Sequence, residues 1–193
     1  SRKYKSLDND EEILLDVNKL ASKHAYYSVG SISVSPNNKI LAYSFDTLSR
    51  RLYSIKFLDL KTKKHFKETI KNTTGSITWA NDNKTIFYSK KEDKTLRVNK
   101  IYRHQLNSDI KNDILVFEEK DDQFSTGVYK TKSQEFLVIA SRSTLTTEMR
   151  FLNANTPNEE FKLFTKREKN HEYSINHFGD SFYILTNSEN SKN

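Results

Sequence analysis

The sequence contains no cysteine, which excludes disulfide bonds, thiolate ligands and a cysteine nucleophile. Only two prolines and four glycines occur in 193 residues, which argues against collagen-like or linker sequence. No apolar run approaches the roughly 18 residues that a membrane helix needs, and the first residues lack the apolar core of a signal peptide. We therefore expect a cytoplasmic chain that does not associate with membranes.

The common catalytic signatures are missing as well. The Gly-x-Ser-x-Gly elbow of serine hydrolases does not occur, and its nearest approach, at residues 30–34, lacks the second glycine. The five histidines form no His-Glu-x-x-His pair, and no glycine-rich loop is available for phosphate. We expect no catalytic residue, metal site or cofactor in this chain.

Charge is plentiful but not segregated. Lys and Arg number 32 against 25 Asp and Glu, a formal net charge of +7, and acids lie close to the basic residues throughout. A nucleic-acid-binding surface is one interpretation of this excess, and it predicts steeply salt-dependent binding to any duplex. Because no basic stripe dominates, we favour a lysine-rich solvated surface and expect no nucleic-acid partner.

The most informative feature is a recurring pair of strands. Residues 30–46 contain a strand in which Ile32 and Val34 alternate with serines, a Ser-Pro-Asn-Asn turn, and a second, more apolar strand. The same order of parts recurs at residues 75–89, 127–139 and 172–185. The equivalent turns are about 45, 51 and 46 residues apart, which is the repeat length of four-stranded propeller blades.

We therefore predict an all-β fold, a partial β-propeller of about three and a half four-stranded blades preceded by one short helix. Residues 1–10 are a tail or the end of a preceding strand, and residues 11–193 form the partial propeller. The predicted blades are 27–70, 75–118, 125–165 and, as a half blade, 172–186, with the last strand of the first blade at 65–70. Because such a ring cannot close, we expect a fragment of a larger propeller whose open sheet edges favour self-association.

The helix is predicted within residues 11–26, with Asp8 or Asp10 as its N-cap and two glutamates in its first turn. It is expected to be short, because the residues after 26 lead into the first strand. Apolar residues at helical spacing form one predicted face, namely Ile13, Leu14, Val17, Leu20 and Ala21.

Six short motifs are spread over nearly the whole chain. They are Glu-Glu-Ile-Leu-Leu-Asp-Val-Asn at 11–18, Leu-Ser-Arg-Arg-Leu-Tyr at 48–53, Trp-Ala-Asn-Asp at 79–82, Tyr-Arg-His at 102–104, Phe-Glu-Glu-Lys-Asp-Asp at 117–122 and His-Glu-Tyr-Ser at 171–174. In this order and spacing they resemble the N-terminal propeller of the oligopeptidase B branch of the prolyl oligopeptidase family of serine peptidases.

The resemblance implies a seven-bladed propeller that covers an α/β-hydrolase catalytic domain of the same parent chain. The parent would be a cytosolic serine peptidase that cleaves short basic peptides after Lys or Arg, and the propeller would exclude large folded proteins. The family's catalytic serine, aspartate and histidine would lie beyond Asn193, so this chain is expected to be inactive alone.

The longer loops predict where such a catalytic domain would contact the propeller. In a four-stranded blade, the loop between the second and third strands and the connection to the next blade emerge at the same end of the sheet. Charged residues of these loops are the interdomain-contact candidates: Arg50, Arg51, Glu118, Asp121, Asp122, Arg167, His171 and Glu172. The alternative is that these charges pair among themselves and hold neighbouring blades together.

A second interpretation of the whole chain stays open at this point. The repeats also fit an independent propeller or β-sandwich that serves as a protein-interaction platform with no enzyme attached. Continuation of the gene past Asn193 into a Gly-x-Ser-x-Gly elbow would distinguish the two interpretations.

Overall fold

The computed structural model describes residues 1–3, 5–92 and 95–188, so the last five residues of the predicted range 11–193 lie outside the described chain. The described chain begins with a strand pair and a helix. Strand β1 (Arg2–Lys3) pairs antiparallel with β2 (Glu11–Glu12), and α1 (Val17–Ala21) follows. A short helix was correctly predicted here, but residues 11–26 was too long a range, because its first two residues extend to pair with β1.

The helix also begins at a different cap from those predicted. Asp16 is the N-cap and accepts a hydrogen bond from Lys19 N at 3.0 Å, so the prediction of Asp8 or Asp10 was wrong. The helix has five residues. Across the described ranges, no helix combines the length and the apolar character that crossing a membrane requires.

The predicted apolar face of this helix does not form. Ile13 is 67% exposed and Val17 is 38% exposed. Leu14 and Leu15 precede the helix and pack on a small apolar cluster of the first sheet, made of Leu41, Leu58 and Leu60. Because burying one leucine contributes about 2 kcal/mol, and helix propensities differ by less than about 1 kcal/mol, packing decides the local conformation.

Three four-stranded antiparallel sheets follow, and in each one the strands are neighbours in chain order. The first contains β3 (Ser28–Val34), β4 (Ile40–Asp46), β5 (Tyr53–Asp59) and β6 (Ile70–Thr73). The second contains β7 (Thr78–Trp79), β8 (Thr85–Lys91), β9 (Val98–Gln105) and β10 (Ile114–Glu118). The third contains β11 (Ser125–Lys130), β12 (Phe136–Arg142), β13 (Thr147–Asn153) and β14 (Lys162–Leu163).

A two-stranded half sheet, β15 (Tyr173–Phe178) and β16 (Ser181–Thr186), completes the described chain. The four sheets are the successive blades of an incomplete propeller, which confirms the predicted fold class. Within each blade we letter the strands A to D in chain order.

The turn between strands A and B recurs with one backbone conformation. Asn38, Asn83 and Gln134 occupy the same place in the A–B turns of the three full blades and have φ values of 59°, 61° and 64°. This left-handed conformation is tolerated best by glycine and asparagine. The half blade has a shorter turn, in which only Gly179 (φ 57°) and Asp180 lie between the paired Phe178 and Ser181. The periodic turn on which the repeat was predicted is therefore present in the three full blades.

Neighbouring blades pack face to face, so each apolar core lies between two sheets. Large buried side chains fill these cores: Phe57, Trp79 and Tyr88 between the first two blades, Phe87 and Leu137 between the second and third, and Met149 and Ile175 between the third blade and the half blade. Each sheet thus buries both faces only where it has a neighbour on both sides.

Strand D of the first blade lies at Ile70–Thr73, not at 65–70 as predicted. The turn after strand C is held by Asp59, whose Oδ1 accepts hydrogen bonds from the backbone N–H groups of Lys61 and Thr62 at 2.9 and 2.7 Å. This Asx turn begins a longer C–D loop than the sequence indicated, and the strand is displaced accordingly.

Strand β3 exposes the side chains that its alternation predicted to be buried. Ile32 is 57% exposed and Val34 is 39% exposed, whereas the serines between them are half-buried. Both apolar residues line a groove of about 640 Å³ next to Leu14 and Leu15. The other wall of this groove is formed by β1 and the segment before α1 and not by a further blade, so the apolar side of β3 is only partly covered.

Candidate functional site

The two ends of the partial propeller differ. At one end the A–B turns bind each other, since Asn37 N donates to Asn83 Oδ1 at 2.7 Å and Asn81 Nδ2 donates to Gln134 O at 3.0 Å. The opposite end carries the B–C loops and the D–A connections, and we call it the loop face. In the described chain it consists of residues 47–52, 92, 95–97, 143–146, 74–77, 119–124 and 164–172.

The first B–C loop is held by one buried carboxylate. Asp46 ends strand B and is 2% exposed. Its two oxygens accept hydrogen bonds from the backbone N–H groups of Leu48, Arg50 and Arg51 at 2.8, 2.9 and 2.8 Å. Because three N–H donors solvate this charge, the conformation of the loop depends on Asp46.

The same loop presents two cationic side chains that no other group in the described part of the chain neutralises. Ser49 and Arg51 have φ values of 57° and 55°, a conformation that costs a residue with a side chain roughly 1–2 kcal/mol and that the Asp46 hydrogen bonds offset. Arg50 and Arg51 are exposed, and neither guanidinium has a partner among the described residues. The loop is therefore preorganised and carries free positive charge.

A second cluster on the loop face joins three blades. Arg167, in the connection from the third blade to the half blade, donates from Nη2 to Glu119 Oε2 at 2.7 Å. Its guanidinium lies 3.6 Å from Asp121 Oδ2, 3.5 Å from Glu148 Oε1 and 3.7 Å from the ring centre of Phe124. Because these groups belong to successive blades, the cluster fastens the blades to one another.

Arg97 holds the same cluster from the B–C loop of the second blade. Its Nη1 donates to the carbonyl oxygens of Asp121 and Phe124, both at 2.7 Å, and its Nη2 donates to Glu119 O at 3.3 Å. One guanidinium thus satisfies three backbone carbonyls of a single connection. The position of Glu119 is fixed through its own backbone.

The charges of Glu119 and Arg167 stabilise each other. Burial raises the pKa of Glu119, but the hydrogen bonds from Arg167 and from Asp121 N, with the nearby Ser141 hydroxyl, lower it more, and its net pKa lies below the ordinary 4.5. Burial lowers the pKa of Arg167, but the hydrogen bond with Glu119 and the charges of Glu119, Glu148 and Asp121 together raise it, so the net shift is upward. Both shifts favour the ionised pair.

The remaining predicted contact residues lie on the same end of the blades outside this cluster. The Glu118 carboxylate lies 3.5 Å from a lysine of the neighbouring strand, and Asp122 is exposed. His171 Nε2 forms a hydrogen bond of 2.9 Å with Thr186 Oγ1. Glu172 is half-buried, and its backbone N–H and C=O both bind one asparagine of the half blade.

The structure thus divides the predicted contact residues into two groups. Arg167 and Asp121 are paired between blades, which was the alternative considered for them, whereas Arg50 and Arg51 have no partner within residues 1–3, 5–92 and 95–188. Sequence reasoning missed Arg97, Glu119 and Glu148. The only signal for Glu119 was strand alternation, which places it on the same side as the partly buried Phe117.

The loop face also contains an aromatic ring fixed between two glycines. A Cβ atom on Gly30 would lie 2.5 Å from Tyr53 Cε1, and one on Gly75 would lie 2.9 Å from Tyr53 Cγ. Gly75 has φ of +92° in addition. Since the chain has four glycines, half of them serve this single ring.

One histidine, His104, is fully buried in the core. His104 Nδ1 lies 2.6 Å from Asp113 Oδ1, and Asp113 Oδ2 accepts a hydrogen bond from Tyr88 OH at 2.8 Å. Burial, together with Asp113, raises the pKa of Tyr88 far above its ordinary value. This buried chain lies between the first two blades, out of contact with the loop face. Among the residues that the structure describes, no group of three or more His, Asp or Glu side chains is placed to hold a metal ion.

Sequence comparison identifies relatives that align with nearly the whole of this chain. The family described as "Prolyl oligopeptidase, N-terminal beta-propeller domain" matches residues 2–193. The chain is 37% identical over 183 residues to dipeptidyl aminopeptidase BI of Pseudoxanthomonas mexicana and 32% identical over 182 residues to protease 2 of Moraxella lacunata. These alignments cover 95% and 93% of this chain but 25% and 26% of the two relatives.

Comparison with solved structures identifies relatives of the same family. Oligopeptidase B from Leishmania major superposes with a TM-score of 0.87 at 30% identity, over 92% of this chain and 25% of that protein. Oligopeptidase B from Trypanosoma brucei, in a closed form with covalently bound antipain, superposes with a TM-score of 0.86 at 29% identity, over 97% of this chain and 26% of that protein. The chain therefore spans about a quarter of the length of the proteins that it matches.

Proposed function

Because this chain belongs to the prolyl oligopeptidase family and is an N-terminal β-propeller domain of that family, we propose that it is the non-catalytic cover of a serine oligopeptidase. The cover lies over an α/β-hydrolase domain of the same polypeptide and admits short peptides, which that domain cleaves after Lys or Arg. The propeller supplies size selection and one half of an interface that opens for substrate.

The observation that carries this proposal is the difference between the two ends of the blades. The A–B turns use their polar groups on each other, so that end offers little for a partner to bind. The loop face instead presents Arg50 and Arg51 on a loop whose backbone Asp46 has already fixed. Preorganised, unpaired guanidinium groups suit docking against carboxylates, because little conformational entropy is lost on binding.

The relatives support the same assignment. They extend over about four times the length of this chain, which leaves room for a catalytic domain outside the matched part. A closed form of the Trypanosoma brucei relative fits a pair of domains that open and close. The proposed preference for Lys or Arg comes from the resemblance to oligopeptidase B, since the pocket that reads this side chain would belong to the catalytic domain.

The contact residues then have separate roles in this proposal. Arg50 and Arg51 contact the catalytic domain, and Glu118, Asp122, His171 and Glu172 lie along the same contact surface. Arg167 and Asp121 contribute indirectly, because they hold the connections of neighbouring blades in register and do not themselves contact the catalytic domain.

The test is an Arg50→Ala/Arg51→Ala double variant of the full-length protein. We expect kcat/KM for a short Arg-containing peptide to fall several-fold, and small-angle scattering to show a larger separation of the domains, because two docking cations are lost. The matched control is Lys61→Ala/Lys64→Ala, which removes two exposed cations from a C–D loop at the opposite end. Unchanged activity together with unchanged domain separation in the arginine variant would remove the docking role.

A further inference from the structure

Tyr53 lies at the inner edge of the loop face, between the first two blades. It is the first residue of strand C, and its ring contacts Gly30 in strand A of its own blade and Gly75, which precedes strand A of the next blade. The A strands line the central channel of a propeller, and here a groove of about 350 Å³ runs along those of the first three blades. The ring is therefore close to the axis, whereas Arg50 and Arg51 lie on a mid-blade loop.

The position of this ring is determined by close packing on both sides. The Cβ positions of Gly30 and Gly75 fall 2.5 and 2.9 Å from ring atoms, and Ser44 Oγ lies 2.9 Å and 3.0 Å from the same two positions. Ser44 Oγ also accepts a hydrogen bond from Ser31 N at 2.8 Å, within the bulge of strand β3. A side chain larger than hydrogen at either glycine would displace the tyrosine.

The backbone of Tyr53 is fixed as firmly as its ring. Thr73 Oγ1 donates to Tyr53 O at 3.0 Å and accepts a hydrogen bond from Gly75 N at 3.1 Å. Thr73 itself is fully buried. One hydroxyl thus joins the start of strand C to the connection that leads into the second blade.

The phenol group at the end of this rigid assembly is exposed to solvent. The Tyr53 hydroxyl forms no hydrogen bond with the described residues, and it is not among the unpaired polar atoms that are buried from solvent. A tyrosine hydroxyl at a constrained, partly buried site usually has a hydrogen-bond partner. An immobilised ring with a free, accessible hydroxyl is therefore suited to binding a ligand that enters from the loop face.

We propose that Tyr53 binds the peptide substrate, with its hydroxyl donating a hydrogen bond to a main-chain carbonyl of the peptide. This inference rests on the proposed function, because it places the peptide between the loop face and a catalytic domain. The location near the axis favours the peptide over the catalytic domain as the partner, since domain contacts are supplied further out by Arg50 and Arg51. Tyr53 is then a residue that selects for peptides long enough to reach it.

The test compares two substrates with the same Arg at the scissile bond, a dipeptidyl chromogenic amide and an octapeptide, in the full-length protein. Tyr53→Phe keeps the ring between its glycines and removes only the hydroxyl. We expect KM for the octapeptide to rise about fivefold with kcat unchanged, the value for one lost neutral hydrogen bond. KM for the dipeptidyl substrate and the melting temperature should stay the same. The control is Tyr26→Phe, which removes a hydroxyl from an exposed residue ahead of the first blade.

Other outcomes overturn the inference in distinguishable ways. Equal KM values for wild type and Tyr53→Phe on both substrates would show that the hydroxyl does not contact the peptide. An equal change for both substrates, or a shift in domain separation, would place the hydroxyl against the catalytic domain or give it a structural role. A wild-type protein that cleaves neither substrate would instead overturn the proposed function itself.

Discussion

Glu119 and Arg167 are 48 positions apart in the sequence, and their side chains meet at 2.7 Å on the loop face. Glu119 belongs to the connection after the second blade and Arg167 to the connection after the third. The pair therefore joins the connection that enters the third blade to the connection that leaves it. Its partners Arg97 and Glu148 make this a network, in which removing one member leaves another charge buried.

Arg167→Gln is expected to destabilise the chain by about 2 kcal/mol, because Glu119 would remain buried without its cation. The measurement is the free energy of unfolding from urea titration. Lys100→Gln is the matched control, since it breaks an exposed ion pair with Glu118 and should cost less than about 1 kcal/mol. Equal costs for the two variants would contradict a network role for Arg167.

The free energy of unfolding should depend on pH through the ionisation of Glu119. Its pKa is lowered on folding, so it contributes stability above its unfolded pKa, and this contribution is lost as the pH falls through the folded value. We expect the difference in unfolding free energy between wild type and Glu119→Gln to be constant above about pH 5.5 and to shrink below about pH 4.5. A difference that stays constant down to pH 3 would show that Glu119 does not titrate with folding.

Gly30→Ala should destabilise the chain by roughly 1–3 kcal/mol, because the new Cβ would lie 2.5 Å from Tyr53 Cε1. Tyr53→Ala in the same chain should remove most of that extra cost, so a double-mutant cycle in urea should show strong coupling between the two sites. Gly127→Ala is the control, since nothing lies within 4 Å of its Cβ position. Additive costs of the two changes would contradict the close packing.

The repeat could be predicted because it depends on local chemistry. Turn residues such as Asn38 and Asn83 adopt the left-handed conformation for reasons that lie in four consecutive residues, and the same turn recurs at blade spacing. Alternating apolar residues then gave most strands. The N-terminal helix was placed over too long a segment, because Leu14 and Leu15 pack on a sheet that follows them in the chain.

The candidate site was less predictable, since its contacts join distant positions. Arg97 binds the backbone of Asp121 and Phe124, 24 and 27 residues later, and the register of β9 against β10 brings them together. The pairing of Gly30 and Gly75 on one tyrosine is equally invisible in a sequence. What the sequence supplied was the loop end at which charged residues collect.

We expect the isolated chain to self-associate through the open edge of its half blade. Phe178 is 74% exposed and Leu185 is 78% exposed, and within the described residues β16 is hydrogen-bonded only to β15. An unpaired apolar edge of this kind recruits further strands. Sedimentation velocity should show concentration-dependent association that Leu185→Lys reduces, whereas Leu145→Lys, at an exposed leucine of a B–C loop, should not. A monomer at high concentration would contradict this expectation.

We propose that this chain filters substrates for a catalytic domain of the same parent protein. The most direct measurement is kcat/KM of the full-length protein for an Arg-containing octapeptide and for the same octapeptide fused to a large folded protein, with the isolated chain assayed alongside. We expect efficient cleavage of the free octapeptide, a large loss of cleavage for the fusion, and no hydrolysis by the isolated chain. Equal cleavage of both substrates by the full-length protein, or hydrolysis by the isolated chain, would contradict this proposal.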